Sequence, residues 1–382
     1  MDNRSVERVL VLSGRGARGA YQVGVCQYLA CQGWEPDMVL GNSIGATNGA
    51  ILIAPNYRAA RDKDVSTPHK LLEHIWLNDM VNERLYDPPA TSALKIIRSL
   101  QDPAREPGAY ENLVSALLDT LNPEITRVVN EIGRVQRGKK IPKEQVARWS
   151  LDLFLALLNK ILQQPALIRR RGWRRALKRY VKRARLCSPD APYFGVAATD
   201  VVTGVPHMFW NRVPPGVQGA RTRIRVDHIM GSSSIPAIYR ATRIGSGWNK
   251  PRYWWWDGAL NANVPIDPAL DIISSVESIV VVLMVPWFQD LEDQGLPLPH
   301  GRPTVADGLT RFLDWMQLAQ LRSQLDRLDP DLREKVWIVA PAQLADPISI
   351  IDYGQMQTRD LIYRGREDAQ EQLKDLWGGK PH

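Results

Sequence analysis

Ser43 lies in Gly41-Asn42-Ser43-Ile44-Gly45, the G-x-S-x-G pattern. In that pattern the serine sits on a tight strand-to-helix turn, and small flanking residues leave its Oγ open for nucleophilic attack. Upstream, Gly14, Gly16 and Gly19 form a loop that opens a helix. Such a loop aims backbone N–H groups at an anion, and the helix dipole helps. A serine hydroxyl with an anion-stabilising loop beside it is equipment for attack on an acyl group, once a base takes the proton. The elements that position these residues are legible. Val9–Leu12 is a continuous apolar run and reads as a buried strand. Met38–Gly41 reads as a second strand. Two successive strand-to-helix turns therefore bring the loop and the serine to the carboxyl edge of one sheet, where chemistry sits in parallel α/β folds.

Two general readings compete for this stretch. Gly14, Gly16 and Gly19 also satisfy G-x-G-x-x-G, but a dinucleotide fold needs an acidic residue at the end of the second strand. Glu35 and Asp37 come before that strand, and Ser43 follows it. An ordinary α/β-hydrolase places its serine after several strands, with Asp and then His downstream. Here the serine follows a single βα unit, and none of the six histidines sits in an obvious strand-end motif.

Further blocks follow in order. They are Ala198-Thr199-Asp200-Val201-Val202-Thr203-Gly204, Gly231-Ser232-Ser233-Ser234-Ile235-Pro236 and Asp257-Gly258-Ala259. Taken alone, Asp257-Gly258 is a surface turn. With the glycine loop and G-x-S-x-G, the five blocks resemble the patatin-like phospholipases over roughly 1–55 and 190–285. The resemblance implies an α/β fold of three layers, with a largely parallel central sheet flanked by helices. It implies a Ser43–Asp257 dyad with Asp257 as base, and an oxyanion hole from the backbone of Gly14, Arg15 and Gly16. Arg18, Gly19, Gly41, Gly45 and Gly258 match supporting positions of the motifs. Arg15 departs from the pattern, standing where the family has successive glycines. The hole survives there if position 15 does not need a positive φ.

The chain of 382 residues carries a net charge of +8. Residues 169–185, RRRGWRRALKRYVKRAR, hold ten Lys or Arg and no acid, so taking those ten from +8 leaves −2 for the rest. On a helix Trp173, Leu177, Tyr180, Val181 and Ala184 share one face, and cations cover the remainder. This is the composition of a helix lying in a lipid interface, with Arg170, Trp173, Arg174, Lys178 and Lys182 as membrane-binding candidates. A solvated helix whose stripe packs on the domain is the alternative. A nucleic-acid patch is a third reading, and the enzyme-like motifs favour lipid phosphate over it.

Residues 56–190 show helical patterns and no strand pattern, and are expected to form a helical insertion or cap within a single domain 1–382. A basic helix 166–186 closes that insertion. The three cysteines, Cys26, Cys31 and Cys187, lack metal spacing. Cys26 and Cys31 are expected as small buried hydrophobes in a helix. No apolar run of membrane-spanning length and no signal peptide are evident, so a cytoplasmic location with peripheral membrane association is expected. The expected function is hydrolysis of phospholipid or lysophospholipid acyl esters, without metal or cofactor. The expected partners are a phospholipid membrane surface and a lipid substrate, with a regulatory partner or ligand and no nucleic acid. The alternatives are a soluble carboxylesterase and a catalytically impaired, membrane-binding relative.

Overall fold

A computed structural model of the protein describes residues 5–60, 62, 64–85, 170–245, 252–261, 263–287, 305–342 and 353–377. The helical patterns read between 86 and 169, and the first residues of the expected basic helix, lie outside them. The chain divides into two compact units. One comprises Met1–Leu85, Gly172–Pro236 and Ala241–His382, and the other Tyr86–Arg171 and Ala237–Arg240.

Among the described residues, the larger unit is built on a mixed sheet of eight strands. They are β1 (Arg8–Leu12), β2 (Met38–Asn42), β3 (Tyr193–Asp200), β4 (Pro206–Trp210), β5 (Thr242–Gly245), β6 (Arg252–Asp257), β7 (Ser278–Val282) and β8 (Val336–Val339). The order is β5-β6-β3-β2-β1-β7-β8, with β4 also paired to β3. The run β3-β2-β1-β7-β8 is parallel, and β4, β5 and β6 join antiparallel. A parallel sheet covered on both faces takes continuous apolar strands. That is the sequence of β1, β2 and β7, in which Val9, Val11, Leu40, Val280 and Val282 are fully buried.

Helices cover the sheet. They are α1 (Ala20–Cys31), α2 (Ile44–Ile53), α3 (Pro68–Asn78), α4 (Arg171–Tyr180), α5 (Val226–Ser232), α6 (Val305–Leu325) and α7 (Gln355–Gln372), with single-turn helices left unnumbered. Helices α1 and α7 meet backbone to backbone. A Cβ at Gly24 would stand 1.9 Å from Ile362 O, and one at Gly365 2.1 Å from Tyr21 O. Cys26 is buried on α1 as expected. Cys31, at the end of the same helix, is exposed, because the C-terminal turn runs past the packed face.

The apolar stripe of the basic segment does not face lipid. Trp173, Leu177, Tyr180 and Val181 are all buried in the protein. Trp173 packs edge-on to Tyr353, which stacks on Trp76 of α3. The Tyr180 hydroxyl bonds Asp79. Backbone bonds run from Lys182 N to Ala54 O (2.8 Å) and from Asn56 N to Tyr180 O (2.9 Å). Trp173 is therefore corrected from membrane anchor to core residue: the stripe is satisfied by α3 and Tyr353. Arg170 is also buried, its guanidinium over the Tyr239 ring. Arg174, Lys178 and Lys182 are exposed, and Arg174 pairs with Asp227.

Candidate active site

The sheet brings Ser43 and Asp257 together through an end-to-end junction. On β3, residues 195–197 pair with β2 on one edge and β4 on the other, while residues 198–199 pair with β6 and β4. A strand has two edges, so β2 and β6 share one of them. Asn42 pairs with Ala197, and Asp257 with the next residue, Ala198. The carboxyl ends of β2 and β6 thus converge from opposite directions. Asn42 Nδ2 closes the junction by donating to Asp257 Oδ1 at 3.2 Å.

Ser43 begins α2 with φ 54° and ψ −120°. A positive φ at a non-glycine residue costs on the order of 1–3 kcal/mol and persists only where the surroundings impose it. They do so here. A Cβ at Gly45 would stand 2.2 Å from Leu12 O, so α2 enters the sheet edge at backbone contact distance. Gly41 likewise sits against the backbone of Ala46, and Gly19 against Ile44. Ser43→Gly is expected to be more stable than Ser43→Ala by about 1 kcal/mol in urea unfolding, because glycine relieves the strain. Equal midpoints would show that the elbow stores no strain.

The segment Ser232–Ser234 holds both partners. Ser232 Oγ accepts the Ser43 N–H at 2.9 Å, and Ser234 O accepts the Asp257 N–H at 3.0 Å. Asp257 Oδ1 also accepts from Ala259 N at 2.9 Å, which fixes the turn after β6. Gly258 is required there by space: its Cβ would stand 2.4 Å from Asn42 Oδ1.

The glycine loop differs from expectation in one respect. Gly14 N donates to Asn263 O at 3.2 Å, so this N–H is already engaged in the fold. Gly14 is also closely packed: a Cβ there would stand 2.6 Å from Asn263 Oδ1, 2.7 Å from Asn42 Nδ2 and 2.9 Å from Ser43 Cβ. Arg15 has φ −179°, extended backbone that any residue adopts. The left-handed position is Gly16, at φ 54°. An arginine at position 15 is therefore compatible with the loop. Its side chain is buried and donates from Nη1 to Gln317 Oε1 at 3.4 Å. Burial, with the Arg18 charge second, lowers its pKa to about 9. Arg18 is itself buried, at 2 % exposure, within the turn that opens α1.

Asn263 and Gln317 join the parts. Asn263 Oδ1 accepts from Asn42 Nδ2 at 3.2 Å, and Asn263 Nδ2 donates to Gln317 Oε1 at 2.7 Å. One amide thus ties the glycine loop, the nucleophile strand and α6 together. Motif reading missed Asn42, Ser232, Asn263 and Gln317 as site residues. Asn42 and Ser232 stood inside quoted motifs without a role, and no local pattern marks Gln317.

At the far end of α5, the Arg225 N–H donates to His228 Nδ1 at 2.9 Å. Burial, with Arg225 second, pushes the His228 pKa down to about 4. The unfolded chain takes up this proton near pH 6.5, so it binds more protons than the folded protein between about 6.5 and 4. Stability therefore falls as pH drops through that window, by on the order of 2–3 kcal/mol. Urea midpoints at pH 7 and pH 4.5 should separate more in the wild type than in His228→Gln. An equal separation would contradict the assignment.

A strained serine elbow, a glycine loop against it and a carboxylate joined to it through one asparagine stand together on a mostly parallel α/β sheet flanked by helices. The family model described as patatin-like phospholipase matches residues 10–270, and the chain belongs to that family. The family is one of lipid acyl hydrolases. No curated protein matches the chain. Thirteen chains of solved structures do. One is VipD from Legionella pneumophila, at 15% identity and a TM-score of 0.36, over 94% of this chain and 67% of that one. Among the described residues no helix is long and apolar enough to cross a membrane.

Proposed function

We propose that the protein hydrolyses acyl esters of phospholipids or lysophospholipids through an acyl-enzyme on Ser43, with Asp257 as the base. The observation that carries this reading is the junction of β2 and β6, which joins the elbow to the carboxylate through Asn42. Asp257 takes the Ser43 proton as Oγ attacks the ester carbonyl. The N–H groups of Arg15 and Gly16 receive the oxyanion. When the carbonyl reforms, the ester bond breaks and the departing alkoxide takes the proton from Asp257. Water then attacks the acyl-enzyme, giving its proton to Asp257, and Ser43 regains a proton as the fatty acid leaves. Donors arranged in advance for such an oxyanion are worth on the order of 3 kcal/mol each.

The cations of α4 and the turn after it supply attraction to an anionic membrane. Lys178 and Lys182 are exposed there. Each such charge near an anionic surface contributes about 1 kcal/mol. This is surface attraction rather than insertion, since the stripe beneath is buried. The experiment is labelling with a serine-reactive phosphonate. Labelling of the wild type at Ser43, lost in Ser43→Ala, is the expected result. An unlabelled wild type that still binds liposomes would favour the impaired, membrane-binding alternative.

A further inference from the structure

A second concave site begins with Arg221-Thr222-Arg223-Ile224-Arg225. Side chains alternate across extended chain. Ile224 is fully buried, so the three arginines share the opposite side. The segment is fixed beside β4 by a bridge between Trp210 and Arg221 and by the Thr222 N–H, which donates to Trp210 O at 2.6 Å. A fourth arginine, Arg183, comes from the single-turn helix Arg183–Leu186. All four line one cavity of 510 Å³, together with His228 and an aromatic wall that includes Trp255.

Among the described residues no carboxylate lines this cavity. Among the described residues, none of the four arginines makes an ion pair. Asp227, the acid of α5's first turn, is held by Arg174. Arg225 donates from Nη2 to Gly245 O at 2.8 Å, while its Nε is buried without a partner. His228 turns an acceptor nitrogen to the Arg225 backbone and supplies no negative charge. A run of cations on a convex face is ordinarily a solvated surface. Four guanidinium forks around a concave, aromatic-walled space form a receptor for phosphate oxygens, which they meet two at a time. A single phosphate brings about −1.5 to −2 of charge, so neutralising four cations takes about two of them. The volume is that of a small-ligand site.

We propose that this cavity binds a ligand carrying two or more phosphate groups, gripped by Arg183, Arg221, Arg223 and Arg225. The proposal does not rest on the Ser43–Asp257 reading, whose residues lie outside the cavity. The ligand's phosphates could be presented by a soluble molecule or by a lipid headgroup, and two probes separate these sources. Inositol trisphosphate is titrated calorimetrically, and phosphatidylcholine vesicles doped with phosphatidylinositol bisphosphate are tested by cosedimentation. The variants are Arg221→Ala/Arg223→Ala and, should the pair fail to fold, Arg223→Ala alone. Both side chains are exposed, so truncation leaves the core intact. Arg327→Ala, on the surface beyond α6, is the control. Binding of the soluble probe that weakens about tenfold or more in the double variant, and not in the control, supports a soluble ligand. Binding seen only on doped vesicles, and weakened likewise, supports a lipid headgroup. Absence of binding to both probes, or binding unchanged by the double variant, overturns the proposal.

Discussion

Asp257→Asn lowers the turnover of an acyl ester by about a thousandfold or more and leaves the protein folded. Asparagine has nearly the shape of aspartate, and its Oδ1 can still accept from Asn42 Nδ2 and Ala259 N, the two bonds that fix the turn. What it lacks is the capacity to take the Ser43 proton. A positioned general base contributes about 10²–10⁴-fold, and removing a triad member of comparable standing costs about 10⁴-fold. Steady-state kinetics on a p-nitrophenyl ester, with thermal midpoints alongside, check this. A variant within tenfold of wild type would remove Asp257 from the chemistry.

Gly14→Ala is expected to lower kcat by about 10²–10³-fold through crowding of the loop, its own N–H being bonded to Asn263 O. The added methyl would stand within 3 Å of Asn263, Asn42 and Ser43 at once. None of the three can give way alone. Asn42 and Asn263 bond each other, and Asn42 also bonds Asp257. The loop must therefore move away from the elbow and carry the Arg15 and Gly16 N–H groups out of register. Arg15→Gly supplies the contrast. Position 15 has extended backbone at φ −179°, so glycine relieves nothing there, and activity should stay within a few-fold of wild type. If Arg15→Gly raised activity tenfold while Gly14→Ala left it unchanged, the assignment of roles within the loop would be reversed.

Much of this site was legible in the sequence because its signals are local. A continuous apolar run marks a strand buried on both faces, and G-x-S-x-G marks an elbow that only small neighbours permit. Hence β1 and β2 fall where the pattern placed them. The edge strand β5, Thr242–Gly245, was missed: it is short, with Arg243 exposed, and carries no apolar run. The roles of Asn42, Ser232, Asn263 and Gln317 were illegible because they arise where β2 and β6 meet, between segments about 215 residues apart. Periodicity found the stripe through Trp173 and Tyr180 but could not say what covers it. The covering surface includes Tyr353, far along the chain. The alternating arginines at 221, 223 and 225 were visible as letters. Their meaning depends on Ile224 being buried and on Arg183 arriving from elsewhere.

The most direct test of the central claim is fatty-acid release from mixed phospholipid vesicles containing anionic lipid, comparing wild type, Ser43→Ala and Asp257→Asn. Release by the wild type that is lost in both variants, with all three proteins folded, is the predicted result. Release that persists in folded Ser43→Ala or Asp257→Asn would contradict a mechanism built on the meeting of β2 and β6.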